Sequence, residues 1–230
     1  MDLYASSSIL APRNCDVNKI NGMMLNRLPG NVVSTKADLT IKSSGVNSLV
    51  LFTELWRKRM MTHTKTGMPD HVLRLNKGCV VMLLRNMDAE RGLVNGTRMI
   101  VTEIRTGGAG KWLKCIILNG EHAGQVVQLP RINFDHTPDE KIPFEFTRKQ
   151  FPVKICFAMT IMKSQGQTFS GKVGITLPKD VFSHGQLYVA LSRCTNLDNL
   201  RLCYDTRANH NHTEVRNMVS KNITERLFNV

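Results

Sequence analysis

The chain has 230 residues, enough for one full-sized core or for one domain with a small insert. Its 31 Lys and Arg against 18 Asp and Glu give a formal charge of +13, which points to a polyanionic partner, with a generally basic protein as the plainer reading. No apolar run approaches the roughly 20 residues of a membrane-spanning helix, and six cysteines without a C-x-x-C pair, most of them inside apolar runs, read as reduced, buried thiols and not as a disulfide framework or a zinc site.

The opening MDLYASSSILAPRN has neither a basic start nor a long apolar core, so it does not read as a signal peptide. The sequons at Asn95, Asn211 and Asn222 are then expected to stay unmodified in an intracellular chain. Ser8 to Ala11 reads as a short strand ended by Pro12. Asp16 to Leu28 follows as a helix, with Val17, Ile20, Met24 and Leu28 at helical spacing, Asn14 or Asp16 as N-cap and Pro29-Gly30 as the stop. Val32 to Ile41 fits a strand, and Phe52 to Met61 a helix with a basic face of Arg57, Lys58 and Arg59. That face suits either nucleic acid or plain solvent.

From Leu73 to Leu129 the pattern changes to short strands separated by turn residues. Val80 to Leu84 is apolar, Asn95-Gly96 signals a hairpin between Leu93-Val94 and Met99 to Ile104, and Trp112 to Leu118 and Gln125 to Leu129 follow. Four or five such strands predict a small antiparallel barrel. Residues 130 to 150, with Pro130, Pro138 and Pro143, read as a polar connector. Strand–helix alternation resumes with a strand over Pro152 to Thr160, a strand over Val173 to Leu177, a helix over Ser183 to Ser192 and a strand over Leu200 to Tyr204. Val215 to Leu227 suits a short tail helix, and His210 and His212 near Cys203 read as part of a solvated tail, not a metal site. The chain thus reads as an α/β domain with a parallel sheet, interrupted by a small β-barrel. The expected divisions are 1–70, 71–130 for the barrel, 131–206 for the remainder of the α/β domain and 207–230 for the tail.

Two runs carry the chemistry. AMTIMKSQGQTF (Ala158 to Phe169) places Lys163, Ser164, Gln165, Gly166, Gln167 and Thr168 in a polar turn after a buried strand, where open α/β sheets bind ligands. GQLYVALSRC (Gly185 to Cys194) ends an apolar helix in Ser192 and Arg193, a fixed cation suited to phosphate oxygens. A surface arginine at a helix end and ordinary turn chemistry are the plain alternatives. A phosphate cradle of the form G-x-x-x-x-G-K-[ST] has one lookalike, GGAGKW (Gly107 to Trp112). In that alignment Arg105 takes the place of the first glycine and Trp112 that of the hydroxyl, so it reads as a turn between strands. Asp139-Glu140 follows no apolar strand and reads as solvated connector, not a magnesium-binding pair.

KSQGQT followed by YVALSRC resembles the fifth and sixth motifs of the Pif-type DNA helicases of superfamily 1, with the helicase region of Helitron transposons as the nearest likeness. ILAPRNCDVNKIN (Ile9 to Asn21) and LPG (Leu28 to Gly30) are similar to the family's segment after its fourth motif, and Leu73 to Val101 to its inserted barrel. ELWRKRMMTHTK (Glu54 to Lys65) departs from the uncharged connection usual in the family, Met162 stands where many members carry a polar residue, and the fourth-motif Arg has no counterpart.

The resemblance implies a second RecA-like domain interrupted by an SH3-like barrel. It also implies the C-terminal part of an ATP-dependent helicase moving 5′ to 3′ on single-stranded DNA, in repair, recombination, telomere maintenance or transposition. ATP and Mg²⁺ are its implied cofactors, an N-terminal helicase domain its implied partner, and the nucleus, or else the mitochondrion, its implied location. Arg193 is then the arginine finger, with Gln165 and Gly166 beside the nucleotide and Thr160, Lys163, Ser164 and Gln167 toward DNA. Without the cradle and the acidic pair, this chain alone is expected not to hydrolyse ATP. A non-enzymatic nucleic-acid-binding remnant of a mobile element is the competing reading, and a regulatory domain without nucleic acid leaves the charge unexplained.

Overall fold

In a computed structural model describing residues 7–42, 54–63, 65–108, 110–169, 171–204, 215, 217 and 218, the chain forms two compact units. The first combines Met1–Met24 with Cys156–Val230, and the second is Leu25–Ile155, a wider stretch than the 71–130 segment expected from turn spacing. The rest of the expected tail helix lies outside the described residues, as do His210, His212, Asn211 and Asn222.

The first unit is built on a four-stranded sheet, all of whose pairings are parallel. Its strands are β1 (Ser8–Ala11), β12 (Ala158–Thr160), β13 (Val173–Leu177) and β14 (Leu200–Tyr204), in the order β12-β1-β13-β14. A parallel sheet needs apolar cover, and Leu10, Ala11, Val173 and Ile175 are fully buried. Helix α1 (Asn14–Arg27) follows β1 and sets Val17 and Ile20 against Ala11 and Ala158. Its buried stripe is Val17, Asn21 and Leu25, not the expected Val17, Ile20, Met24 and Leu28. The polar member decides the difference. Asn21 donates Nδ2–H to the Ala158 carbonyl at 3.0 Å and accepts the Ala158 N–H on Oδ1 at 2.8 Å, so it satisfies the open side of edge strand β12. The helix also starts earlier than expected: the Val17 N–H already bonds to the Arg13 carbonyl. It ends where expected, with Gly30 at φ 90°.

The second unit is antiparallel throughout its named pairings. Strands β5 (Val80–Leu83), β6 (Arg98–Arg105), β7 (Trp112–Ile117), β8 (Val126–Pro130) and β11 (Val153–Ile155) form a five-stranded sheet ordered β11-β5-β6-β7-β8. GGAGKW is the β6–β7 connection, since Arg105 pairs with Trp112 across it. The Asn95-Gly96 turn forms, with Gly96 at φ 93°, but it does not join Leu93-Val94 to β6. Leu93 is buried and exchanges bonds with Asp88, and the strands paired with β6 are β5 and β7. Burial of Leu93 outweighs the local hairpin preference.

A pair, β2 (Val33–Lys36) with β4 (Val72–Leu75), and a three-stranded sheet complete the unit. The latter comprises β3 (Asp38–Ile41), β9 (Ile132–His136) and β10 (Phe146–Gln150), in the order β3-β10-β9. The expected connector over 130–150 is therefore mostly strand. Its polar residues are inside: His136, Arg148 and Gln150 are at most 1% exposed. Burial of such groups is sustained by backbone acceptors. Gln150 donates to the Thr35 and His71 carbonyls, and Arg148 to those of Pro69 and Met60. Helix α2 (Glu54–Thr62) places Met60 and Trp56 in one cluster with Ile142, Phe144 and Phe146, and leaves Arg57, Lys58 and Arg59 exposed. The single strand expected over Pro152 to Thr160 divides into β11 in the second unit and β12 in the first.

The six cysteines are all free thiols. Cys79, Cys115 and Cys156 are buried, but Cys15 and Cys203 are exposed, which corrects the expectation that most are internal.

Candidate nucleotide and nucleic-acid site

Both chemistry-bearing runs lie in the first unit, and the fold joins them. A 3₁₀ turn, Ile161–Ser164, leads from β12 into a tight turn. Gln165 has φ −56° and ψ 134°, Gly166 has φ 78°, and the Gln167 N–H bonds to the Ser164 carbonyl at 3.0 Å. These are the marks of a type II turn, whose third position requires φ > 0 and so favours glycine. The sequence KSQGQ folds this way because Gly166 can take that conformation without Cβ strain. The turn exposes Lys163, Gln165 and Gly166, with Gln167 half-buried.

Two of the expected DNA-facing groups are placed otherwise. Ser164 is fully buried, and its hydroxyl donates to the Ile161 carbonyl at 2.7 Å, so it holds the turn from inside. Thr160 is 8% exposed at the end of β12. Of the expected set, Lys163 and Gln167 keep an accessible surface, beside Gln165 and Gly166.

Arg193 follows helix α3 (Gln186–Leu191). This helix is shorter than expected because Gly185 is left-handed at φ 71° and ends it on the N-terminal side. It is also less embedded: Gln186 and Ala190 are buried, whereas Tyr188 is 72% and Leu191 40% exposed. Gln186 fixes the helix from below by accepting the Phe182 N–H at 3.1 Å. The Arg193 guanidinium donates Nε–H to the Val189 carbonyl, Nη1–H to the Gln167 carbonyl and Nη2–H to Ser192 Oγ, each at 3.1 Å. The Phe169 N–H returns a bond to the Arg193 carbonyl at 2.9 Å, and Phe169 bridges in parallel to Cys194. The turn and the arginine are thus stitched together from both sides.

Among the described residues these bonds occupy three of the five guanidinium N–H groups and leave one on each terminal nitrogen. That is an end-on fork aimed from a half-exposed position, which fits a phosphoryl group. Among the expected nucleotide residues, Gln165 and Gly166 lie on the same turn as Gln167, whose carbonyl anchors the arginine.

A separate group lies in the second unit, and the sequence did not expose it. His63, His136 and Asp139 present ligand atoms all within 4.8 Å of one another. His63 and His136 are 73 positions apart in sequence, so no ligand spacing links them. The one local signal is His136 and Asp139, three residues apart, in a stretch expected to be solvated connector because no apolar strand precedes Asp139-Glu140. Asp139 does build a turn, as Oδ1 accepts the N–H groups of Lys141 at 2.9 Å and Ile142 at 2.8 Å. Those backbone donors lower its pKa first, and the neighbouring histidines add to the effect.

Against known proteins, residues 63–104 match the family described as DNA helicase Pif1, 2B domain. The chain is 36% identical over 142 residues to an ATP-dependent DNA helicase PIF1 from Danio rerio, covering 57% of this chain and 19% of that protein. It is 34% identical over 198 residues to its namesake from Rattus norvegicus, covering 84% of this chain and 27% of that one. The chain therefore spans between about a fifth and a quarter of the length of these curated relatives. Among solved structures it is similar to Pif1 helicase from Candida albicans, with TM-score 0.70, 25% identity and 97% of this chain on 49% of that one. It is likewise similar to Bacteroides Pif1 bound to ssDNA, with TM-score 0.64, 25% identity and 97% of this chain on 45% of that one.

Proposed function

We propose, for a chain that is homologous to the Pif1 DNA helicases, that it is the C-terminal part of an ATP-dependent helicase and supplies the arginine finger of that motor through Arg193. The single observation behind this reading is the mutual anchoring of Arg193 and the Lys163–Gln167 turn. It couples the residue that senses phosphate to the one that meets DNA. ATP, when bound, supplies a phosphoryl group for transfer to water, with Mg²⁺ neutralising its oxygens. Arg193 holds two N–H groups toward that phosphate, Gln167 fixes the guanidinium plane through its carbonyl, and Gly166 gives the turn its shape. Lys163 contributes an exposed point charge for the DNA backbone.

In this reading the parallel sheet belongs to the second RecA-like domain, and the five-stranded antiparallel sheet corresponds to the small inserted barrel. The phosphate cradle and the acidic pair come from an N-terminal helicase domain, which the exposed Tyr188 and Leu191 of α3 suit as a contact. The proposed partner is single-stranded DNA, travelled 5′ to 3′, in nuclear or mitochondrial repair, recombination, telomere maintenance or transposition. The homology favours a helicase part over a non-enzymatic remnant. The test is a fusion of this chain behind the N-terminal helicase half of a Pif1 relative. DNA-stimulated ATP hydrolysis is expected from the fusion and not from either part alone. A fusion that folds and binds both ligands yet hydrolyses no ATP contradicts the reading.

A further inference from the structure

The His63, His136 and Asp139 group lies within the second unit, apart from the residues assigned to phosphate and DNA. His63 follows helix α2, His136 ends β9, and Asp139 sits in the β9–β10 connection. The His136 side chain is completely buried, with Nε2 3.3 Å from the Ile142 carbonyl and 3.9 Å from Asp139 Oδ1. The two imidazoles meet edge to face with centroids 4.6 Å apart, and His136 lies 4.7 Å from the Phe146 ring.

Aromatic packing accounts for the ring positions but not for the nitrogens. Among the described residues, His63 Nε2 and His136 Nδ1 are both buried with no hydrogen-bond partner. A buried, unpaired ring nitrogen is costly, and two in one contact call for a shared partner. An ion with affinity for imidazole satisfies lone pairs of both rings at once, and the nearby carboxylate offsets its charge. Two imidazoles and one carboxylate select borderline transition metals over Mg²⁺ or Ca²⁺, which prefer all-oxygen shells.

We propose that His63, His136 and Asp139 bind one divalent ion of the zinc type, which clips the end of α2 to the β9–β10 connection. Zinc bonds of about 2.0–2.1 Å place tetrahedral ligands about 3.3 Å apart. The three ligand atoms, all within 4.8 Å of one another, need only small side-chain rotations to reach that spacing. His63 also lines a cleft of about 440 Å³ with Arg59, Thr62, Glu140, Lys141 and Ile142, which gives an ion a route from solvent. Water or a small anion would complete the shell.

The test titrates the whole chain, stripped with chelator and kept reduced, with Zn²⁺ and separately with Co²⁺. The chain carries Cys15→Ser and Cys203→Ser so that exposed thiols cannot compete. One ion per chain is expected, with a rise in melting temperature and a Co²⁺ spectrum free of thiolate character. His63→Ala is expected to weaken binding at least about tenfold, on the scale of lost metal-site partners. Asp139→Asn keeps the oxygen that accepts the Lys141 and Ile142 N–H groups, so the turn survives, yet binding is expected to fall similarly. Absence of stoichiometric binding to the parent overturns the proposal, as does parent-like affinity in both variants.

Discussion

Ser164 and Lys163 are adjacent in sequence and opposite in placement. Both belong to a polar turn when read as letters, and no pattern tells which side chain turns inward. The 3₁₀ geometry decides it: Ser164 is buried and bonded to Ile161, and Lys163 is outside. Ser164→Ala is therefore expected to cost roughly 0.5–1.5 kcal/mol of stability, the worth of one hydrogen bond, with DNA affinity almost unchanged. Lys163→Ala is expected to do the reverse. Denaturant melts and fluorescence anisotropy on single-stranded DNA measure the two effects, and a Ser164→Ala loss confined to DNA binding would return that hydroxyl to the interface. His71 carries a second expectation at this scale. Burial, with Arg148 nearby, lowers its pKa from the ordinary 6.5, and its Nδ1 has no partner among the described residues. The unfolded chain then binds more protons than the folded one, so the contribution is whole above 6.5 and is lost as pH falls toward the folded pKa. Urea midpoints are expected to drop as pH falls below 6.5, and to drop less in His71→Asn.

At the scale of elements, strands with apolar alternation were legible in the sequence, and β1, β5, β7 and β13 fall within a residue or so of expectation. The elements missed are those whose buried faces are polar. β10 reads FTRKQ, and its inward Arg148 and Gln150 look like solvent residues until the carbonyls of Thr35, Met60, Pro69 and His71 are brought to them. Those partners are 79 to 115 positions away, beyond any local pattern. Asn21 is the same lesson on α1, where an amide occupies the inward stripe to seal β12. Asn21→Ala is expected to destabilise by about 1–3 kcal/mol, since it leaves a buried N–H and C=O of Ala158 unpaired. Asn18→Ala, on the exposed face of the same helix, is expected to be near neutral. Equal denaturation midpoints for the two variants would remove the sealing role from Asn21.

For the molecule as a whole, the net charge of +13 was read as an affinity for polyanions, and the charge predicts how that affinity behaves. With about three to five phosphates neutralised, log affinity for single-stranded DNA is expected to fall against log salt with a slope of roughly −2 to −4. A flat response would mean that stacking, not charge, holds the strand. The motif region was legible because KSQGQT and YVALSRC are compact and ordered, whereas their contact through Arg193 and Gln167 crosses 26 positions and needed the fold. The most direct test of the account is the turnover of Arg193 variants in the fusion that completes the motor. Arg193→Ala is expected to lower DNA-stimulated ATP hydrolysis by about 10³-fold or more, the range of arginine fingers, with DNA affinity nearly intact. Arg193→Lys keeps the charge but loses the fork and is expected not to restore the rate. Turnover of Arg193→Ala within a few-fold of the parent would contradict the assignment, leaving Arg193 as a residue that only fastens the turn to helix α3.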